Sequence, residues 1–253
     1  MSKPLVFGRR LFMTRATAVS AILALSSGVT AESQAVAGGP WAIELFTSQG
    51  CNSCPPADAL LGRLLRRPDI VALSLHVDYW NYIGWKDPFS SPELTERQRA
   101  YSHAFKLGHV YTPEMVVDGI GHAPGIVPGP IDALLAEAQR RAPRRATPLL
   151  SLGDDGTVTL RLAAFDLPGG AADLALAVYD RRHRTAVARG ENGGRTLDNF
   201  NVVRRFERLG RWDGAPLVRP LPIGSLAPGQ GLAALVQQPN NGPMVGCNKL
   251  EPG

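Results

Sequence analysis

Between Trp41 and Arg141 the spacing of apolar positions changes period several times. Trp41-Ala-Ile-Glu-Leu-Phe-Thr47 is a short apolar run interrupted by one acid, the pattern of a buried strand. From Pro55 to Arg67 the leucines at 60, 61, 64 and 65 fall on one helical stripe, and Arg66 and Arg67 suit the C-terminal end of the dipole. Asp69–Val77 is nearly continuous apolar sequence, as expected of a central strand covered on both faces. Pro92–Lys106 reads as a second helix, with Ser90 or Ser91 as cap and Glu93 in the first turn. Glu114–Asp118 is a short strand, a weak Gly- and Pro-rich strand follows near 120–125, and Ile131–Arg141 is a third helix. This alternation predicts an α/β layer domain over residues 38–146.

Residues 142–148, Ala-Pro-Arg-Arg-Ala-Thr-Pro, read as a linker. Beyond them only strand patterns remain: 148–152, 157–165, 173–179, 185–189, 202–209 and 231–237, separated by glycine-containing turns. Arg181-Arg182-His183-Arg184 falls between two of these runs and reads as a hairpin turn. Short strands with such turns predict a small, all-β, sandwich-like domain over 147–253.

Charge changes the picture of the N-terminus. The net charge is +5. Residues 1–31 contain Lys3, Arg9, Arg10 and Arg15 and no acid, which leaves +1 for the rest of the chain. A basic start, the apolar run Ala16–Leu25 and the small-residue exit Val29-Thr30-Ala31 are the parts of a signal peptide. Gly8-Arg9-Arg10-Leu11-Phe12-Met13 is similar to a twin-arginine export signal. The expected location is the periplasm or the exterior. A body of +1 argues against a nucleic-acid partner. No apolar run reaches the roughly 18 residues of a membrane span, so none is expected in the mature chain.

The chain has three cysteines, too few for a disulfide-stapled scaffold. Cys51 and Cys54 form a Cys-x-x-Cys pair where a strand ends, a glycine turn follows and a helix begins. Backbone N–H groups at a helix start favour a thiolate, which is the attacking species in disulfide exchange. Cys51, in the turn, is the expected nucleophile, and Cys54 is the expected resolving thiol. Asp58, in the first helical turn, suits the helix but opposes a nearby thiolate. Cys247 is expected to be a buried free thiol.

The segments ELFTSQGCNSCPPAD, HVDYWNYIGWKDPFS, TERQRAY, YTPEMVV and RGENGGRTLDNFNVVR resemble a bacterial exported family of thioredoxin-like proteins, catalogued only as a domain of unknown function, DUF1223. The resemblance implies a thioredoxin-like domain. It also implies a cis bond at Thr112-Pro113, with Pro113 opposite the reactive cysteine and the Thr112 backbone offered to substrate. It further suggests that Glu44 is a buried acid moving protons for the resolving thiol, although its spacing to Cys51 is one residue longer than in thioredoxins.

Tyr79, Trp80, Tyr82, Trp85 and Phe89 place five aromatics within eleven residues after the second strand. Trp80, Tyr82 and Trp85 read either as a substrate-holding wall beside Cys51 or as a loop that packs the domain. The fold class expected is therefore α/β: a thioredoxin-like domain followed by a small β domain. The function expected is exported thiol–disulfide exchange with no cofactor or resident metal. Its partners would be a protein or small-molecule thiol or disulfide and a redox partner protein. A copper carrier and a binding module with a structural cysteine pair are the alternatives.

Overall fold

The computed structural model describes Met1, Val29–Glu32 and residues 38–252. The expected signal segment lies almost entirely outside the described residues. Of that segment only Met1 and residues 29–31 are described, the latter in strand β1 (Val29–Glu32).

The α/β half follows the expected order. Strand β2 (Trp41–Thr47) leads through the cysteine turn to helix α1 (Pro55–Leu64), strand β3 (Ile70–His76) and a single 3-10 turn at Asn81–Ile83. Helix α2 (Pro92–Ala104), strands β4 (Glu114–Val117) and β5 (Gly121–Ala123) and helix α3 (Pro128–Arg141) follow. Each helix begins on proline, whose missing N–H costs nothing in the first turn. The hydroxyl of Ser91 accepts from Leu94 N–H and caps α2.

Period-two alternation distributes the apolar residues to two faces. Trp41, Ile43 and Leu45 of β2 pack with Ile70 and Ala72 of β3 beneath α1 and α3. Ala42, Phe46, Val71, Leu73 and Leu75 pack on the opposite face with Leu94 and Tyr101 of α2. Strands β2 and β3 are buried along their whole length, which explains their near-continuous apolar sequence.

The remaining strands are β6 (Leu149–Gly153), β7 (Val158–Leu162), β8 (Ala172–Ala186), β9 (Thr196–Trp212), β10 (Leu217–Pro220), β11 (Gln230–Gln237) and β12 (Met244–Leu250). They do not form the expected separate sandwich, nor is the N-terminal half a self-contained thioredoxin-like unit. One eight-stranded mixed sheet runs β12-β11-β8-β9-β3-β2-β4-β5 across both halves of the chain. A four-stranded sheet, β1-β6-β7-β10, stacks on its outer part through Leu150, Val158 and Leu160 against Leu174, Leu176, Leu232 and Val236.

The physical cause is the length of the β8–β9 hairpin. The runs expected as two strands, 173–179 and 185–189, are largely one strand of fifteen residues, and its partner has seventeen. The basic stretch 181–184 is therefore strand, not turn, with Arg182 and Arg184 on the exposed side. Its extended arm carries β9 to β3, where Val202 pairs in parallel with Ser74 and Asn201 Nδ2 donates to Ala72 O at 2.9 Å.

The expected linker is strapped down. Arg145 makes two 2.8 Å hydrogen bonds to the buried Asp118 carboxylate and stacks over Trp41. Ala146 N–H donates to Val245 O at 3.0 Å. Gly246 permits this approach, because a Cβ there would lie 1.8 Å from Ala146 O.

Candidate functional site

Strand β2 ends at Thr47, and the chain turns through Ser48-Gln49-Gly50 into Cys51. Cys51 N–H donates to Ser48 O at 3.2 Å and Cys54 N–H to Cys51 O at 3.3 Å, so the pair sits in successive tight turns. Both thiols are free and both side chains are buried. Cys54 has helical dihedrals despite the following proline. Pro55 and Pro56 remove two of the N–H groups a helix start would offer, and those of Ala57 and Asp58 go to Cys54 O. The helix start therefore contributes less to the thiolate than its sequence position suggests.

Other groups act on Cys51. Its thiol is lowered to about 6, first by a hydrogen bond from Cys54, then by Ser53 and Thr112, against the opposing effect of burial. Ser53 Oγ lies 3.2 Å from Cys51 Sγ, and Thr112 O lies 3.9 Å away. Cys54 is pushed far up, chiefly by burial, then by the neighbouring Cys51 and by Asp58. The two thiols are thus opposite in character: one is ionised near neutrality and the other is held protonated.

The loop that leads into β4 completes the mouth of the site. Thr112-Pro113 is cis and Pro113 is buried. Trp80 Nε1 donates to Thr112 Oγ1 at 2.7 Å, and Trp85 Nε1 donates to Gln49 Oε1 at 3.2 Å. Two of the three expected aromatics therefore hold the loops around Cys51 by their indole N–H groups. Tyr82 is instead 83% exposed. Trp85 also packs against Gly190. In the aromatic run, Trp80 and Trp85 therefore pack and tie the loops around the cysteine turn.

Glu44 is not brought to the cysteines. Alternation turns it to the α2 face of the sheet, while Thr47 points to the α1 face. There Glu44 accepts from Arg97 at 2.5 and 2.8 Å and from Tyr101 OH at 2.5 Å. Gln237 contacts both Arg97 and Tyr101. This is a satisfied buried ion pair that joins β2 to α2 and β11.

The acid behind the cysteines is Asp58, four residues after Cys54 on α1. Thr47 Oγ1 donates to its Oδ2 at 3.4 Å, and the same hydroxyl works against the rise of the Cys54 thiol. Burial raises the Asp58 carboxyl to about 7, against the pull of His76, Thr47 and Asn199. His76 Nδ1 lies 2.7 Å from Asp87 Oδ2, with both side chains fully buried. Burial works against the His76 cation, but Asp87 and Asp58 overcome it and raise the imidazole above its usual range. Asp87 Oδ2 also accepts Gln49 N–H at 2.8 Å, which ties this network to the cysteine turn.

Strand β9 and the turn before it close the site from the other half of the chain. Asn192 Nδ2 donates to Gln49 O and Cys51 O, both at 2.9 Å. Gln49 Nε2 donates to Asn199 Oδ1 at 2.9 Å, and Glu191 accepts Asn52 N–H at 3.1 Å. Periodicity and spacing gave no signal for Asn192 or Asn199, which are some 140 residues from the cysteines. The segment RGENGGRTLDNFNVVR, one of those carrying the family resemblance, is where both lie. Cys247 is buried on β12, donates to Pro40 O at 3.2 Å and is pushed up to about 12 by burial. Among the described residues, no group of three or more His, Cys, Asp or Glu side chains could hold a metal ion, and no helix is long and apolar enough to cross a membrane.

A mixed sheet flanked by helices, with an asymmetric Cys-x-x-Cys pair in the turn after a central strand, defines the class. The chain belongs to the family described as protein of unknown function (DUF1223), whose model matches residues 42–237. It is similar to a structural-genomics protein of Agrobacterium tumefaciens at 32% identity and a TM-score of 0.72, over 85% of this chain and 95% of that one. It also shares its fold with HBP35 of Porphyromonas gingivalis at 16% identity and a TM-score of 0.56, over 85% of this chain and 75% of that one. No curated protein matches the sequence.

Proposed function

We propose that this chain is an exported thiol–disulfide oxidoreductase in which Cys51 attacks and Cys54 resolves. The observation that carries this reading is the opposed character of two adjacent thiols, with Cys51 near 6 and Cys54 held protonated. A structural pair has no need of that asymmetry. It gives one thiolate at neutral pH, as exchange requires, and keeps the second thiol in reserve until a mixed disulfide forms. The Thr112 carbonyl beside Cys51 is the backbone group available to a substrate segment, and Pro113 fixes its direction. The basic, apolar and small-residue succession of residues 1–31 supports a periplasmic or extracellular setting. The copper-carrier reading lacks a third ligand among the described residues.

The test is a Cys54→Ala variant expressed in the native compartment. Covalent adducts at Cys51 are expected on non-reducing gels, and wild type should cycle between dithiol and disulfide with a small dithiol reductant. No adducts together with no cycling would overturn the reading.

A further inference from the structure

The loop after α2 carries charge close to the thiols. It turns back at Lys106 and Gly108, which have φ of 59° and 72°, and runs through His109, Val110 and Tyr111 to Thr112. Hydrogen bonds fix its path. Leu107 N–H donates to Ser102 O at 2.9 Å, and Ser102 Oγ donates to His109 O at 2.7 Å. Gln98 Nε2 donates to Tyr111 O and Trp80 Nε1 to Thr112 Oγ1, both at 2.7 Å.

Between this loop and the last turns of α2 lies an open cleft of about 550 Å³, within the size range of ligand sites. Val110 lines it, and two residues later Thr112 O lies 3.9 Å from Cys51 Sγ. Two residues of extended chain span at most about 7 Å, so the cleft adjoins the mouth of the thiol site.

The charge of the cleft is one-sided. Arg99, His103, Lys106 and His109 line it, and no carboxyl among the described residues does. Glu96 takes only Nη1 of Arg99, on the exposed side of α2. Glu114 is buried beneath the loop, where Gln98 donates to it at 2.7 Å. Lys106 is exposed and pairs with no carboxyl among the described residues. Beyond Cys51 the sign reverses, because Glu191 stands at the Asn52 N–H. The mouth is thus polarised, with cations along the loop that follows α2 and an acid at Asn52.

A lone exposed ion pair contributes little, but a concave site lined by one sign of charge concentrates the field and speeds encounter. A substrate segment set against Thr112 O advances about 3.3 Å per residue. Side chains roughly two to four positions from its cysteine then reach the cleft.

We propose that this cleft selects substrates that carry Asp or Glu on one side of the reacting cysteine, roughly two to four residues away. Such selection rests on the exchange reading above and gives it a substrate class, an acidic peptide segment.

The experiment follows the reduced, full chain under stopped flow with peptides whose single cysteine is in a disulfide with a chromogenic aromatic thiol. The Cys51 thiolate bonds to the peptide sulfur, the peptide–aromatic S–S bond breaks, and the coloured thiolate leaves with the bonding pair. Cys51 is thereby oxidised and the aromatic sulfur reduced. Cys54 then loses its proton to solvent and bonds to Cys51 Sγ, and the peptide thiolate leaves and takes up a proton. The peptides carry two Asp residues before the cysteine, two after it, or uncharged residues in both places. Each rate is divided by the rate of the same peptide with mercaptoethanol, which cancels the peptide's own reactivity.

One of the two acidic peptides should exceed the neutral one by about fivefold at low ionic strength, and the advantage should fade as salt is added. Arg99→Gln and Lys106→Asn together should bring that ratio near one. Both positions are exposed, and asparagine tolerates the positive φ at 106. Lys106→Glu alone should shift the preference toward the matching peptide with Lys in place of Asp. Equal ratios for all peptides in wild type, or a ratio that survives in both variants, would overturn the substrate class. No chromophore release from any peptide would overturn the exchange reading instead.

Discussion

Glu44 and Arg97 form a bidentate ion pair on the face of the sheet away from the cysteines. Each is buried, and each is the other's main compensation. Arg97→Leu therefore leaves a carboxylate in the core with only hydroxyl and amide neighbours. The expected loss is about 3–5 kcal/mol of folding stability in urea titration. The alkylation profile of Cys51 should not move, because no side chain of the thiol site is hydrogen-bonded to this pair. A shift of that profile would show that the two sites are coupled.

Cys51 owes its character chiefly to Cys54. Iodoacetamide labelling of the reduced chain should modify Cys51 selectively, with a midpoint near pH 6, as followed by mass spectrometry. In Cys54→Ala the largest cause of that shift is gone, and the midpoint should rise toward the ordinary thiol range. An unchanged midpoint would assign the effect to Ser53 or Thr112 instead.

Glu114 offers a pH test of stability. It is buried beside Pro113, Gln98 donates to its Oε2 at 2.7 Å, and its Oε1 has no hydrogen-bond partner. Burial raises its carboxyl to about 7. Between the ordinary carboxylate range and that value, the folded chain holds a proton that the unfolded chain has released. Folding stability from this group is thus present at low pH and lost as pH rises through about 7. Glu114→Gln lacks the titration. Its advantage over wild type in urea midpoint should grow from about pH 4.5 to about pH 7 and stay level above. A constant difference would refute the assignment.

The strap between the two halves is tested at glycine. In Gly246→Ala the new methyl meets the Ala146 carbonyl at 1.8 Å, and neither β12 nor the backbone of the strap can yield cheaply. A loss of about 3 kcal/mol or more is expected. Gly62→Ala meets only the Phe200 ring at 2.8 Å, which can tilt, so its cost should be smaller.

Much of the α/β half was legible in the sequence, because β2, β3 and the three helices are local patterns of period two or 3.6. The cysteine pair was legible for the same reason: it lies at a strand–turn–helix junction. The joining of β9 to β3 was not, since one parallel contact at Ser74–Val202 leaves no periodic trace. The basic run 181–184 misled because a strand whose outer face meets water can be as polar as a turn. Glu44 misled because position along a strand does not reveal which face is turned to the thiols. Thr47, three residues on, is turned to them. The composition of α1 already held Asp58 one turn beyond Cys54, but its burial depends on His76 and Asn199, which arrive from elsewhere.

The Asn192 amide, which spans the carbonyls of Gln49 and Cys51, has a consequence for how the chain is made. A ribosome must synthesise some 140 further residues after the cysteines before that clasp exists. Until then the turn lacks its clasp, and the buried setting of the two thiols is incomplete. The closed setting of the cysteine turn is thus completed late in synthesis, by a residue from the far half of the chain.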